Sequence, residues 1–82
     1  MRQILTHSSQ IGKIIAARRR AMKLTQRSLA SKLGISQNRL SVIEANPATL
    51  SVERLLEISN VLRLQIIIQD RSYKDFSSES EW

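Results

Sequence analysis

The chain has 82 residues, a formal net charge of +6 and no cysteine. This length allows one domain, and the lack of cysteine excludes disulfides and thiolate metal sites. A chain this short buries a modest core, so a dimer is a reasonable expectation. No apolar run approaches the roughly 18 residues that cross a bilayer, and the N-terminus lacks a signal-peptide core. We therefore expect a cytoplasmic protein with no membrane role.

The positive charge is concentrated in the first half of the sequence. Residues 1–43 contain nine basic residues and no acidic residue, whereas residues 44–82 contain four basic and seven acidic residues. This asymmetry predicts that one end of the molecule attracts a polyanion such as DNA. The alternative is a solvated basic face without a partner.

The first predicted helix follows a lead of residues 1–7, which is either an arm or a disordered end. Ser8 or Ser9 is expected to cap this helix, which should run to about residue 23. Ile11, Ile15 and Met22 form its apolar stripe at helical spacing. The single histidine, His7, has no cysteine or second histidine with which to share a metal, so no metal or cofactor is expected.

Arg19 lies on the same apolar stripe, four residues after Ile15. A charge on a buried stripe needs a partner, and Glu44 is the only carboxylate before residue 53. The sequence therefore predicts a partly buried Arg19–Glu44 pair that ties the first helix to the third. A solvated Arg19 is the alternative.

Residues 24–44 read as two short helices, about 26–33 and 37–44, joined by a tight turn. Thr25 and Ser36 are expected to cap them, and Gly34 supplies the permissive backbone of the turn. Leu40 and Ile43 form the apolar face of the second helix. Its outward face carries amides, a guanidinium, a hydroxyl and a small apolar group, which are types that read base edges in a major groove. These residues are Gln37, Asn38, Arg39, Ser41 and Val42.

After a turn at residues 45–50, Ser51 is expected to cap a fourth helix over about residues 52–62. Its predicted buried side is apolar apart from one serine. The members are Leu50, Leu55, Leu56, Ile58, Ser59 and Leu62.

Residues 64–69 contain three consecutive β-branched isoleucines bounded by two glutamines, which predicts a short strand. Since one strand cannot satisfy its own backbone groups, we expect it to pair with the same strand of a second copy. A continuation of the fourth helix is the alternative. The residues assigned to dimerisation are Gln65, Ile66, Ile67 and Ile68.

Residues 70–82 form a polar, acidic tail that is predicted to be flexible. All the aromatic residues of the chain, Tyr73, Phe76 and Trp82, lie in this tail. Aromatic residues on such a tail are typical of anchors that fold onto a partner. The alternative is a chain end without a role.

The sequence resembles the Xre-type helix-turn-helix regulators, the group of the lambdoid phage repressors, over about residues 8–62. The resemblance rests on Leu24-Thr25-Gln26, Leu29-Ala30, Leu33-Gly34-Ile35-Ser36-Gln37 and Ile43-Glu44. Within that group the chain looks similar to the HipB-type antitoxins. The pointers are Asn46-Pro47, the strand after the fourth helix and the acidic tail ending in Glu81-Trp82.

The resemblance implies an all-α, lambda-repressor-like domain of four to five helices over residues 8–63, with the strand at 64–69 pairing across a homodimer. It implies base contacts by Gln37, Asn38, Arg39 and Val42, although Val42 stands where a polar reader is common. It places Gln26 at a position that typically caps the second helix and bonds a phosphate. Arg19 and Glu44 match the family's internal salt bridge. The residues expected to contact the DNA backbone are Gln26, Arg27, Lys32, Ser36, Ser41, Thr49 and Ser51.

The implied function is that of a transcriptional repressor and antitoxin that binds palindromic operator DNA, autoregulates its operon and helps neutralise a HipA-type serine/threonine kinase toxin. A stand-alone repressor without a toxin partner is the nearest alternative, and a protein–protein module with the helix-turn-helix as scaffold is the second. An enzyme is the least favoured, because no Gly-rich phosphate loop or paired carboxylates in an apolar setting are found.

Overall fold

The computed structural model describes residues 1–71 of the chain. Four α-helices lie in the described part: α1 (Ser8–Ala21), α2 (Gln26–Leu33), α3 (Gln37–Ala45) and α4 (Val52–Val61). A 3-10 turn, Pro47–Thr49, connects α3 to α4. The predicted all-α, four-helix architecture is therefore confirmed. Residues 26–45 form the helix–turn–helix around which the other elements pack.

Three of the four predicted N-caps are present. The side-chain oxygen of Thr25 accepts from the Ser28 N–H at 2.9 Å, and Ser36 and Ser51 cap α3 and α4 in the same way at 3.0 Å each. The predicted serine cap of α1 is wrong. That helix begins at Ser8 with His7 in the cap position.

Residues before α1 are held by one side chain. The Gln10 Oε1 atom accepts from the backbone N–H groups of Thr6 and His7 at 2.7 and 2.9 Å, and Gln10 Nε2 donates to the Ile4 carbonyl at 3.1 Å. These bonds hold the backbone that precedes α1, whereas a serine N-cap would accept from N–H groups inside the first turn of the helix. Residues 4–7 are consequently tied to α1.

The core forms where α1, the helix–turn–helix and α4 meet. It consists of seven buried apolar side chains. They are Ile15, Leu29, Ala30, Leu40, Ile43, Ile58 and Leu62. Leu56, predicted on the buried side of α4, is instead 46 % exposed because it lies on the opposite side of that helix from Ile58.

Three helices end with the same backbone geometry. The N–H groups of Leu24, Ile35 and Leu64 donate to carbonyls five residues earlier, at 3.0, 3.0 and 2.8 Å. In each case the preceding residue is left-handed, with φ of 61° at Lys23, 72° at Gly34 and 58° at Arg63. This closure satisfies free carbonyls at the helix end.

These ends correct one predicted boundary and rule out one alternative. Helix α1 stops at Ala21 rather than residue 23 because Lys23 is left-handed. Arg63 likewise ends α4, so a continuation of that helix into residues 64–69 is wrong. Residues 64–70 carry no regular secondary structure. A strand is defined by hydrogen bonds to a neighbouring strand, so pairing of this segment between two copies stays a prediction.

Candidate nucleic-acid interface

The outward face of α3 is fixed by what the helix buries. Leu40 and Ile43 are fully buried against the core, which sets the rotation of α3 about its axis. The five side chains predicted to face outward are all exposed, and Val42 keeps 44 % of its surface accessible. The helix therefore presents two amides, a guanidinium, a hydroxyl and an isopropyl group to solvent.

Four polar side chains of α2 and α3 share one open surface concavity, which we call the amide concavity. It is lined by Gln26, Gln37, Asn38 and Ser41. Each amide offers two N–H donors and one carbonyl acceptor, and the hydroxyl offers both. Such a set can match the mixed donor and acceptor edge of a base pair in a major groove.

The predicted pair of Arg19 and Glu44 is present behind this concavity. Arg19 Nε donates to Glu44 Oε2 at 2.8 Å, and Arg19 Nη2 donates to Glu44 Oε1 at 3.3 Å. Arg19 Nη1 donates to the Leu24 carbonyl at 2.9 Å, and both charged side chains are less than 10 % exposed. The pair joins α1 to the last turn of α3.

Gln26 is placed differently from the resemblance in one respect. Thr25 caps α2, and Gln26 is the first residue of the helix. Its Nε2 atom donates to Glu44 Oε1 at 3.0 Å. The side chain therefore bridges the buried ion pair and the concavity.

The remaining residues predicted to contact the DNA backbone are all exposed. The hydroxyl oxygens of Ser36 and Ser51 serve as N-caps, so these residues stand at the positive ends of α3 and α4. Helix N-termini of this kind favour phosphate groups. The others are Arg27, Lys32, Ser41 and Thr49.

Several contacts that position this surface were not predicted. Arg18 Nε donates to the Leu62 carbonyl at 2.8 Å, which ties α1 to the end of α4. Arg54 Nη1 donates to the Leu33 carbonyl at 3.2 Å, which ties α4 to α2, and it pairs with Glu57 of its own helix at 2.9 Å. The two bonds to carbonyl groups join residues far apart in sequence, and no local pattern reports them.

The packing role of Gly12 was not predicted, although the sequence contained an indication of it. Gly12 is buried in α1 against the end of α3, where an added Cβ would collide with the Glu44 carbonyl oxygen and lie 3.3 Å from Pro47 Cδ. An isolated glycine inside a helical pattern is a known sign of close backbone approach. Its absence of a side chain lets α1 lie directly on Glu44.

The predicted dimerisation residues are exposed in the isolated chain. Gln65 is exposed, and Ile66, Ile67 and Ile68 keep 44, 67 and 96 % of their surfaces accessible. The predicted partner-binding residues Tyr73, Phe76 and Trp82 lie outside the described residues.

Residues 1–71 contain no group of three His, Cys, Asp or Glu side chains that could hold a metal ion. Over the same range, no helix has the length and apolar character needed to cross a membrane.

Comparison with known families and structures places these features in context. The helix-turn-helix family HTH_3 matches residues 15–67. A comparison with curated protein sequences gave no significant match.

Three solved structures containing HipB are similar to the whole described fold. A HipB variant in complex with an O2 20mer is 26 % identical with a TM-score of 0.77, covering 88 % of this chain and all of that one. A HipB–O1–O2 complex is 28 % identical with a TM-score of 0.75, and covers 84 % of this chain and all of that one. A HipA–HipB–O2–O3 complex is 27 % identical with a TM-score of 0.76, and covers 87 % of this chain and all of that one. The chain thus belongs to the HTH_3 helix-turn-helix family, and its fold is that of DNA-binding regulators of the HipB kind.

Proposed function

We propose that this chain is a sequence-specific repressor and antitoxin that binds operator DNA as a homodimer in the cytoplasm. The observation that carries the DNA-binding part is the polar, outward face of α3 beside the amide concavity. Helix α3 enters the major groove, Gln37 and Asn38 pair with adenine edges, and Arg39 pairs with guanine. Val42 contacts a thymine methyl group.

Affinity comes from the basic half of the sequence. Arg27 and Lys32 are exposed on α2, next to the helix that reads the bases. Their contacts with phosphates release counterions, so binding should weaken steeply as salt rises. The N-termini of α3 and α4, capped by Ser36 and Ser51, supply further phosphate contacts, with Thr49 beside them. The two α3 helices of a dimer would lie about one helical turn apart on a palindromic site.

Similarity to HipB over the full length of its chains supports the antitoxin part. One of these structures also contains HipA. This similarity supports a HipA-type serine/threonine kinase as the proposed partner of the present chain. The exposed isoleucines of residues 66–68 serve the homodimer, and Tyr73, Phe76 and Trp82 anchor the tail on the kinase.

The DNA-binding part is tested by selecting duplexes from a randomised library and measuring affinity for the selected site and for a scrambled duplex. Gln37→Ala and Asn38→Ala should weaken binding to the selected site by about 1–3 kcal/mol each while leaving the scrambled duplex nearly unaffected. Equal losses on both duplexes would show that these two amides do not read bases.

The antitoxin part is tested by removing residues 71–82. Operator binding should persist, while protection of cells from the neighbouring kinase should be lost. Full protection by the shortened chain would assign neutralisation to another surface. If no kinase associates with the full chain, it acts as a stand-alone repressor.

A further inference from the structure

The Glu44 carboxylate lies at the junction of three helices. Although it belongs to the last turn of α3, its side chain is only 8 % exposed, and its oxygens are reached from both other helices. Oε2 accepts from Arg19 on α1 at 2.8 Å. Oε1 accepts from Arg19 at 3.3 Å and from Gln26 on α2 at 3.0 Å.

The main chain of Glu44 is held as firmly as its side chain. Gly12 packs directly on the Glu44 peptide: a Cβ atom added to Gly12 would lie 3.1 Å from the Glu44 carbonyl carbon. Arg19 is fixed from its other side, because its Nη1 atom donates to the Leu24 carbonyl at 2.9 Å. The carboxylate is therefore a rigid acceptor with little freedom to follow a moving partner.

A rigid carboxylate restricts the amide that it binds. An ionised carboxylate only accepts hydrogen bonds, so Gln26 must present its NH₂ group to Glu44. The flipped amide would bring two oxygen atoms within about 3 Å of each other without a proton between them, which is unfavourable. Gln26 consequently offers one defined pattern to the concavity: a carbonyl acceptor and the second amide hydrogen.

We propose that Glu44 is a positioning residue for DNA recognition, acting through Gln26. It holds the Gln26 amide in a single orientation before DNA arrives, so the rotamer entropy of that side chain is already lost when DNA binds. The Arg19–Glu44 pair therefore orients part of the recognition surface as well as joining α1 to α3. This inference rests on the proposed DNA-binding function.

The test is a double-mutant cycle in operator affinity. Glu44→Gln keeps the size of the side chain but offers an amide donor, which permits Gln26 to flip. Gln26→Met removes the amide while keeping a long side chain. Affinities for the library-selected duplex and a scrambled duplex are measured for the wild type, the two single variants and the double variant, each at a temperature where circular dichroism shows it to be folded.

If Glu44 acts through Gln26, Glu44→Gln should lower affinity for the selected duplex about tenfold in the wild-type background and less than about twofold in the Gln26→Met background. Equal losses in the two backgrounds would overturn the inference and leave Glu44 a structural role alone. If the wild type itself fails to discriminate between the two duplexes, the proposed function fails, which is a separate outcome.

A second measurement does not depend on the folding of the Glu44 variant. In the full-length wild-type protein, the side-chain amide protons of Gln26 are assigned by NMR from their loss in Gln26→Met. One of the two protons should exchange with water at least about tenfold more slowly than the amide protons of the exposed Gln37. Equal exchange of the Gln26 and Gln37 protons would contradict the orientation by Glu44.

Discussion

The helical part of the molecule buries its large apolar side chains, whereas the segment that follows it leaves its isoleucines exposed. Helices α1–α4 bury their large side chains against one another, and no buried side-chain polar atom in the described residues lacks a hydrogen-bond partner. Residues 66–68, by contrast, present three isoleucines to solvent. An apolar run that its own domain leaves uncovered is a common mark of an interaction site. The helical part should therefore fold alone, and the segment should govern assembly.

Removing the buried Arg19 should cause the largest loss of stability in the helical part. Arg19→Met leaves the Glu44 carboxylate buried without its charged partner, so we expect a loss of about 3–5 kcal/mol in the free energy of unfolding. Urea denaturation followed by circular dichroism measures this loss. The neighbouring Arg20→Met is the matched control, because Arg20 is exposed and should change stability by less than about 0.5 kcal/mol. Similar losses for the two variants would show that the pair is not the main contact.

The close approach of α1 to α3 gives the next largest expected effect. Gly12→Ala adds a Cβ against the Glu44 carbonyl, so α1 must shift, at a cost of about 1–3 kcal/mol in the free energy of unfolding. Gly34→Ala meets no atom within 4 Å, and its cost of about 1 kcal/mol comes from the left-handed backbone alone. If Gly34→Ala proves the more costly, backbone conformation outweighs helix packing.

A charge on the exposed segment should separate assembly from folding. Ile67→Glu should weaken self-association at least about tenfold, measured by sedimentation equilibrium, and leave the unfolding of the monomer nearly unchanged. Gln69→Glu places the same charge two residues away on a polar position and should have a smaller effect. Unchanged association in Ile67→Glu would remove this segment from the dimer interface.

The smallest expected effect concerns phosphate contacts in the helical part. Arg27→Ala or Lys32→Ala should reduce the slope of log affinity against log salt by about 1, on the selected and the scrambled duplex alike. Fluorescence anisotropy across a salt series measures the slope. A loss confined to the selected duplex would instead assign these side chains a role in base reading.

Local chemistry explains why most of the fold was predictable. Thr25, Ser36 and Ser51 cap helices as expected, because capping depends on a few adjacent residues. Arg19 and Glu44 could be paired because Arg19 lies on an apolar stripe and Glu44 is the only carboxylate before residue 53. The predicted serine cap of α1 was wrong because His7 occupies the cap position and Ser8 is already the first residue of the helix.

The unpredicted features depend on how helices lie in space. The bond from Gln26 to Glu44 needs the first turn of α2 to meet the last turn of α3, and spacing along the chain does not report that meeting. The misassignment of Leu56 is different, because helical spacing alone places Leu56 on the opposite side of α4 from Ile58. The base-reading roles of Gln37, Asn38, Arg39 and Val42 stay predictions, although the structure leaves all four side chains accessible.

The left-handed residues Lys23 and Arg63 are two positions at which a substitution should increase the thermal stability of the domain. Each adopts a positive φ that costs a residue with a side chain about 1–2 kcal/mol relative to glycine. Glycine at either position would keep the helix-ending hydrogen bonds, which are made by the backbone. Exchanging both would raise the melting temperature of the domain while lowering its positive charge by two. Glycine substitutions at these two positions should therefore give a more thermostable variant for structural work.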